Sequence, residues 1–311
     1  MLSRVAASLY WLGRYVERAE FTARLVEATV RLDALSTRPA GEVAWTSALA
    51  VTEAHEAFEA SHGPVRAASV ARFLTLSSDH PGSVVACLDR ARDNAKAVRT
   101  ALTREAWESI NRAWLLFNGR ELPDDMGETL ALVERAQRET RAFDGALGRM
   151  LRNPATWFIR LGAAVERGDN AARLLDVKYH ILLPEGELVG GVVDRDQWTT
   201  ILQTVAAVNA YRWLYRDGLK PWNVAELLTL RVELPRSIAA AAEEVSEHLI
   251  ALSRQTGLEG EADAAAEERC VRLANTGIDQ IITYGLHEYL EEQMADIAEL
   301  DRLIARQFRF G

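Results

Sequence analysis

The chain has 311 residues, 49% hydrophobic and 26% charged, the balance of a globular protein with a sizeable core in one large or two moderate domains. Lys and Arg number 36 against 45 Asp and Glu, so the net charge is −9, which argues against nucleic-acid binding through bulk positive charge. Nineteen glycines and eight prolines exclude collagen-like and Pro/Gly-rich disordered classes, and two cysteines, Cys87 and Cys270, are too few for a disulfide framework or a Cys-based zinc site, which points to a reducing compartment.

Arg4 and a short apolar run open the chain much as a secretory leader would, but Arg14, Glu17, Arg18 and Glu20 follow without a small-residue cleavage site. An amphipathic helix over 3–34 is expected instead, with Leu9, Leu12, Val16, Ala19, Ala23 and Val26 on one side. The same three- and four-residue spacing predicts helices over 42–60, 65–77, 81–102, 104–118, 124–151, 154–182, 194–217, 221–231, 235–256 and 262–308. Asn153-Pro154 places an N-cap before an N1 proline, and Pro81, Pro221 and Pro235 each open an apolar-periodic segment. The one weak strand candidate, 187–194, is short and broken by Gly190-Gly191. The charge-free stretch 197–211 is too short and too polar to span a bilayer, so a cytoplasmic protein with no membrane contact is expected. The last helix is expected to bend or break near Thr276-Gly277. The fold class is all-α.

Self-similarity organises the chain further. Residues 11–28 align with 160–177 at an offset of 149, with Leu12/Leu161, Gly13/Gly162, Val16/Val165, Glu17/Glu166, Arg18/Arg167, Ala23/Ala172, Arg24/Arg173 and Leu25/Leu174 identical. The Trp45-Thr46 pair matches Trp198-Thr199 at an offset of 153, and 73–86 matches 227–240 at 154, with Pro81/Pro235 and Ser83/Ser237 coinciding. Three collinear matches predict two homologous halves, 1–151 and 152–311, forming a helical bundle with pseudo-two-fold symmetry as one integrated unit. The seam between the repeated helices is the expected place for a site.

On the repeated helix, Arg14, Glu17, Arg18, Glu20 and Arg24 form a stripe along the edge of the apolar face. Glu166, Arg167, Asp169, Asn170 and Arg173 repeat it, with Ala163 at the place of Arg14. Three readings follow. The charges can be Glu–Arg pairs that fix helix register. The guanidinium groups of Arg14, Arg18, Arg24 and Arg173 can grip an anionic or zwitterionic group such as a peptide terminus. Glu17, Glu20, Glu166 and Asp169 can serve metal or acid–base chemistry. Carboxylate-bridged bundle sites need a Glu-x-x-His spacing that the repeated helices lack, and the arginines would repel a cation, so no metal ligands are assigned. The eight tryptophans sit at helical spacing as core or seam residues, and His180 suits a helix C-terminus. There is no Gly-rich phosphate loop, no G-x-S-x-G and no H-E-x-x-H, which argues against independent catalysis and leaves any cofactor unknown.

The opening MLSRVAASLYWLGRYVERAEFTARL, the segment LSSDHPGSVVACLDRARDNAKAVR, IRLGAAVERGDNAARLLDVKYHIL and NAYRWLYRDGLKPWNVAELL followed by LPRSI together resemble the bacterial alpha-E family. The resemblance makes Glu17-Arg18-Ala19-Glu20 and Glu166-Arg167-Gly168-Asp169 the signature positions, with Arg14, Arg24 and Arg173 beside them. Phe21 departs from the Asn that the family places there, while Asn170 keeps it. The resemblance implies an accessory of a circularly permuted ATP-grasp ligase, near transglutaminase-like and proteasome-like peptidases, in peptide synthesis or protein modification. It implies no reaction for the fold itself.

Overall fold

A computed structural model describes residues 3–35, 38–120, 125–180 and 191–310. Among them are fifteen α-helices, one short 3-10 turn (Arg99–Ala101) and no strand. Most of the strand candidate at 187–194 lies outside the described residues, as do the end expected at 182 for the second repeated helix and the side chain of His180.

Two long helices, α1 (Ser3–Leu35) and α8 (Pro154–His180), form the axis. They run side by side in the same direction: Tyr10 and Gly13 meet Ile159 and Gly162, Arg18 meets Glu166, and Leu25 and Leu174 border one small apolar recess. Between them in the chain come α2 (Arg38–Val51), α3 (His55–His62), α4 (Ala67–Leu76), α5 (Val84–Ala97), α6 (Arg104–Phe117) and α7 (Met126–Leu147). After α8 come α9 (Val192–Thr204), α10 (Val208–Leu214), α11 (Pro221–Thr229), α12 (Ile238–Thr256), α13 (Glu261–Ala274), α14 (Ile278–Tyr284) and α15 (Leu286–Gln307). Helices α5 and α7 pack on α1, and α12 and α15 pack on α8.

Local chemistry sets most boundaries. Asn153 Oδ1 accepts from the backbone N–H of Ala155 and Thr156, capping α8 ahead of Pro154. Pro221 is at the start of α11, but Pro81 and Pro235 lie in turns before their helices. Ser83 and Ser237 start those helices, their hydroxyls accepting from Ala86 and Ala240 N–H at 3.1 and 3.0 Å.

Two expected helices, 42–60 and 194–217, are each broken in the middle. Glu53 and Ala206 adopt positive φ (52° and 57°), and Ala54 and Ala207 bond back to the carbonyls of Leu49 and Leu202. Neither turn carries Gly or Pro, and the apolar spacing continues through both, so periodicity overlooks them. The last expected helix breaks at Gly277 and again at Gly285, whose φ of 116° only glycine adopts readily.

Apolar side chains form two clusters along the axis. Leu9, Leu12 and Val16 of α1 join Phe158, Leu161 and Val165 of α8 in one. Val26 and Leu25 join Leu174 and Leu175 in the other, together with Trp45, Phe58, Leu74, Leu202 and Leu228. Both clusters draw on residues from either side of position 152. Between the two clusters lie Glu17 and Arg18 of α1 and Glu166, Arg167 and Asp169 of α8.

Candidate functional site: a buried ion-pair belt and two recesses

Close approach of the two axis helices makes the belt possible. A Cβ on Gly13 would overlap the carbonyl oxygen of Ile159 and lie 2.9 Å from its carbon; one on Gly162 would overlap that of Tyr10, again 2.9 Å from the carbon. Tyr10 and Ile159, like Gly13 and Gly162, are 149 residues apart, so the contact is reciprocal. With no side chain between the backbones, short reaches suffice for charges to cross from one helix to the other.

Glu166 is 1% exposed and held by both chelating nitrogens of Arg18, Nε to Oε1 at 2.6 Å and Nη2 to Oε2 at 2.8 Å. Arg14 Nε adds a third bond at 2.8 Å, and Arg14 Nη1 reaches Asp301 of α15 at 2.7 Å, where Tyr10 Oη also donates. The mirror interaction joins Arg167 Nη2 to Glu17 at 2.9 Å, while Arg167 Nη1 reaches Glu244 of α12 at 2.6 Å. One turn on, each helix closes an i,i+4 pair: Arg24 with Glu20 at 2.9 Å and Arg173 with Asp169 at 2.8 Å. Arg173 also binds Glu53, the residue at positive φ between α2 and α3.

Burial pushes the Glu166 carboxyl pKa up, but Arg14 and Arg18 outweigh it and hold the group below its usual range. Glu17 behaves alike: burial raises, Arg167 and Arg236 lower more, and the net is downward. At Asp169 burial wins over Arg173 and the pKa rises. Burial, then the charge of Arg18, lowers the His80 pKa to about 4, so its imidazole is neutral. Burial also drives the Cys87 thiol up to about 12, which removes it as a nucleophile near neutrality.

The candidate residues thus come together, but around two separate recesses rather than one shared hollow. The first, about 400 Å³, is lined by Arg14, Arg18, Glu166, Asp169, Asn170 and Arg173, with His80, Pro81 and Gly82 from the turn before α5. The second, about 340 Å³, is lined by Glu17, Glu20, Arg24 and Arg167, with Pro235 and Arg236 from the turn before α12. Sequence reasoning missed Arg236, Glu244, Asp301, Glu53, His80 and Gly82. The aligned prolines Pro81 and Pro235 were the available signal, because they bring the adjacent Gly82 and Arg236 to corresponding recesses. Among the described residues no three His, Cys, Asp or Glu side chains are grouped to hold a metal ion, and no helix is long and apolar enough to cross a membrane.

Fold and belt together define an all-helical domain whose axis is cross-linked by two Glu-Arg dipeptides with buried glutamates, Glu17-Arg18 and Glu166-Arg167. The chain belongs to the Alpha-E family, described as a predicted alpha-helical domain with a conserved ER motif, which matches residues 1–308. It is similar to uncharacterised proteins of Mycobacterium bovis and of two strains of Mycobacterium tuberculosis, at 26% identity over 326 aligned positions. These alignments cover 97% of this chain and 35% of each relative, so the chain spans about a third of their length. No solved structure matches it.

Proposed function

We propose that this protein is an accessory binding subunit for an ATP-grasp-type peptide ligase, and that it receives the partner or its peptide at the open recess beside Glu166 and Asp169. The halves 1–151 and 152–311 are read as a duplicated pair about a pseudo-two-fold axis, with the reciprocal glycine contacts and Glu–Arg pairs in support. One observation carries the binding reading. The Glu-Arg dipeptides satisfy each other, yet the first recess is lined by Asn170 and His80, whose buried Nδ2 and Nε2 have no partner among the described residues. Carboxylates clamped by guanidinium groups and held ionised are poor proton donors, and they already have their cations. The ion pairs are structural in this reading, and recognition falls to the groups they leave unsatisfied.

The ligase expected is the circularly permuted type, with a transglutaminase-like peptidase as a further partner of the same system. The test is co-expression with the ligase from the same genome, followed by size-exclusion chromatography and a ligation assay. Wild type should co-elute and raise turnover. Asn170→Leu with Arg173→Ala, which leaves the Glu166 pairs intact, should weaken both at least tenfold while circular dichroism stays helical. Undiminished co-elution and turnover in that double variant refutes the reading.

A further inference from the structure

The turns before α5 and α12 are built alike. Ser83 N donates to His80 O at 3.0 Å and Ser237 N to Leu234 O at 2.9 Å, and each serine caps its helix. In this 154-residue register Arg236 stands where the first turn has Gly82. Arg236 Nη2 reaches Glu20 at 3.0 Å and lies 3.8 Å from Glu17, so Glu20 has two guanidinium partners, Arg24 and Arg236. Asp169 is the counterpart of Glu20. Its one ion-pair partner among the described residues is Arg173, which is itself shared with Glu53. Gly82 has no side chain to send, and the recess stays open there.

Two further departures from the register fall on the same recess. His80 replaces the apolar Leu234, and Asn170 replaces the apolar Phe21. They are 4% and 7% exposed, and His80 Nε2 and Asn170 Nδ2 lack partners among the described residues. A charge comparison agrees: three arginines and three carboxylates line this recess, whereas the other holds five arginines, Arg236 included, against four carboxylates. One more cation here would reproduce the charge balance of the recess that Arg236 lines. The raised pKa of Asp169, due first to burial and only partly offset by Arg173, fits a carboxylate short of a counter-ion.

We propose that the recess binds the guanidinium group of a ligand, either an arginine residue of another polypeptide or a small guanidine, seated on Asp169 as Arg236 is seated on Glu20. The planar fork suits a carboxylate bidentately. The inference rests on the recess being a binding surface, not on the identity of the ligase.

Isothermal titration of the full chain with agmatine and with acetyl-Gly-Arg-Gly-amide tests it, using the citrulline analogue of the tripeptide as the uncharged control. Saturable binding of a guanidinium probe is expected, at least tenfold weaker in Asp169→Asn and in Gly82→Arg, with none for the citrulline peptide. Tighter binding of the tripeptide identifies a polypeptide source, and tighter binding of agmatine a small guanidine. If Gly82→Arg does not fold, Asp169→Asn and the citrulline control decide. Absence of saturable binding, equal binding of citrulline, or undiminished binding in Asp169→Asn overturns the inference. Ligase co-elution without guanidinium binding removes this inference alone, whereas guanidinium binding without co-elution removes the ligase reading alone.

Discussion

Replacing Glu166 by Gln keeps the shape of the side chain and deletes the charge on which Arg14 and Arg18 converge. Glu166 is 1% exposed, so water cannot readily take over its role. Breaking a buried pair from one side costs roughly 3–5 kcal/mol, because the partner charge stays buried and uncompensated. Asp301 still serves Arg14, which places the loss toward the lower end of that range. At about 2.1 cal/mol/K of unfolding entropy per residue, a chain this long loses roughly 5–8 °C in Tm. Differential scanning calorimetry and urea unfolding of Glu166→Gln measure both quantities. The triple variant Arg14→Met, Arg18→Met, Glu166→Leu removes Glu166 and both its arginines together, leaving only the part-exposed Asp301 without Arg14, and should recover most of the loss, since apolar side chains of similar volume replace buried ion pairs at little cost. A Glu166→Gln protein within about 1 kcal/mol of wild type would refute the claim that the belt holds the axis through uncompensated charge.

Gly162→Ala should destabilise by about 1–3 kcal/mol or more, since its methyl group meets the Tyr10 backbone and the helices must part. Gly145→Ala in α7, with nothing within 4 Å, should stabilise slightly, and equal urea midpoints for the two variants would sink this reasoning. His80 binds no proton in the folded protein until about pH 4, whereas the unfolded chain takes one up near 6.5, so stability should fall as pH drops through that window, by up to roughly 3 kcal/mol. His80→Leu, matching Leu234, should flatten the pH profile between those limits, and an unchanged slope would count against the assignment. The depressed carboxyls of Glu166 and Glu17 add stability above the usual carboxylate range and lose it below, as the folded groups protonate. Arg269 is buried with Nε and Nη1 unpartnered among the described residues, and burial lowers its pKa to about 10. Arg269→Met should therefore raise Tm, and a fall would show that its bond to Gln293 matters more than its desolvation.

The helical class and the axis helices were legible because amphipathic spacing, Asn153-Pro154 and the serine caps are local signals. The candidate residues of the belt were legible because the aligned segments 11–28 and 160–177 carry the same charges at the same places. The breaks at Glu53 and Ala206 were not, since both rest on a backbone bond across five residues that no side chain announces. Nor was the number of recesses, because a helical wheel places charges on a face without saying which partner they meet.

The sequence by itself determined that this chain is all-helical and that Glu17-Arg18 and Glu166-Arg167 lie at corresponding places in two segments that align without a gap, because propensity, capping and local register are properties of short stretches. Only the tertiary structure decided that each glutamate is claimed by the arginine of the other helix, that Arg236 adds a cation to one recess, and that Gly82 adds no side chain to the other. The crossed pairs depend on how closely two backbones approach at Gly13 and Gly162, and the two recesses on where the turns before α5 and α12 dock; both are set by the packing of the whole bundle.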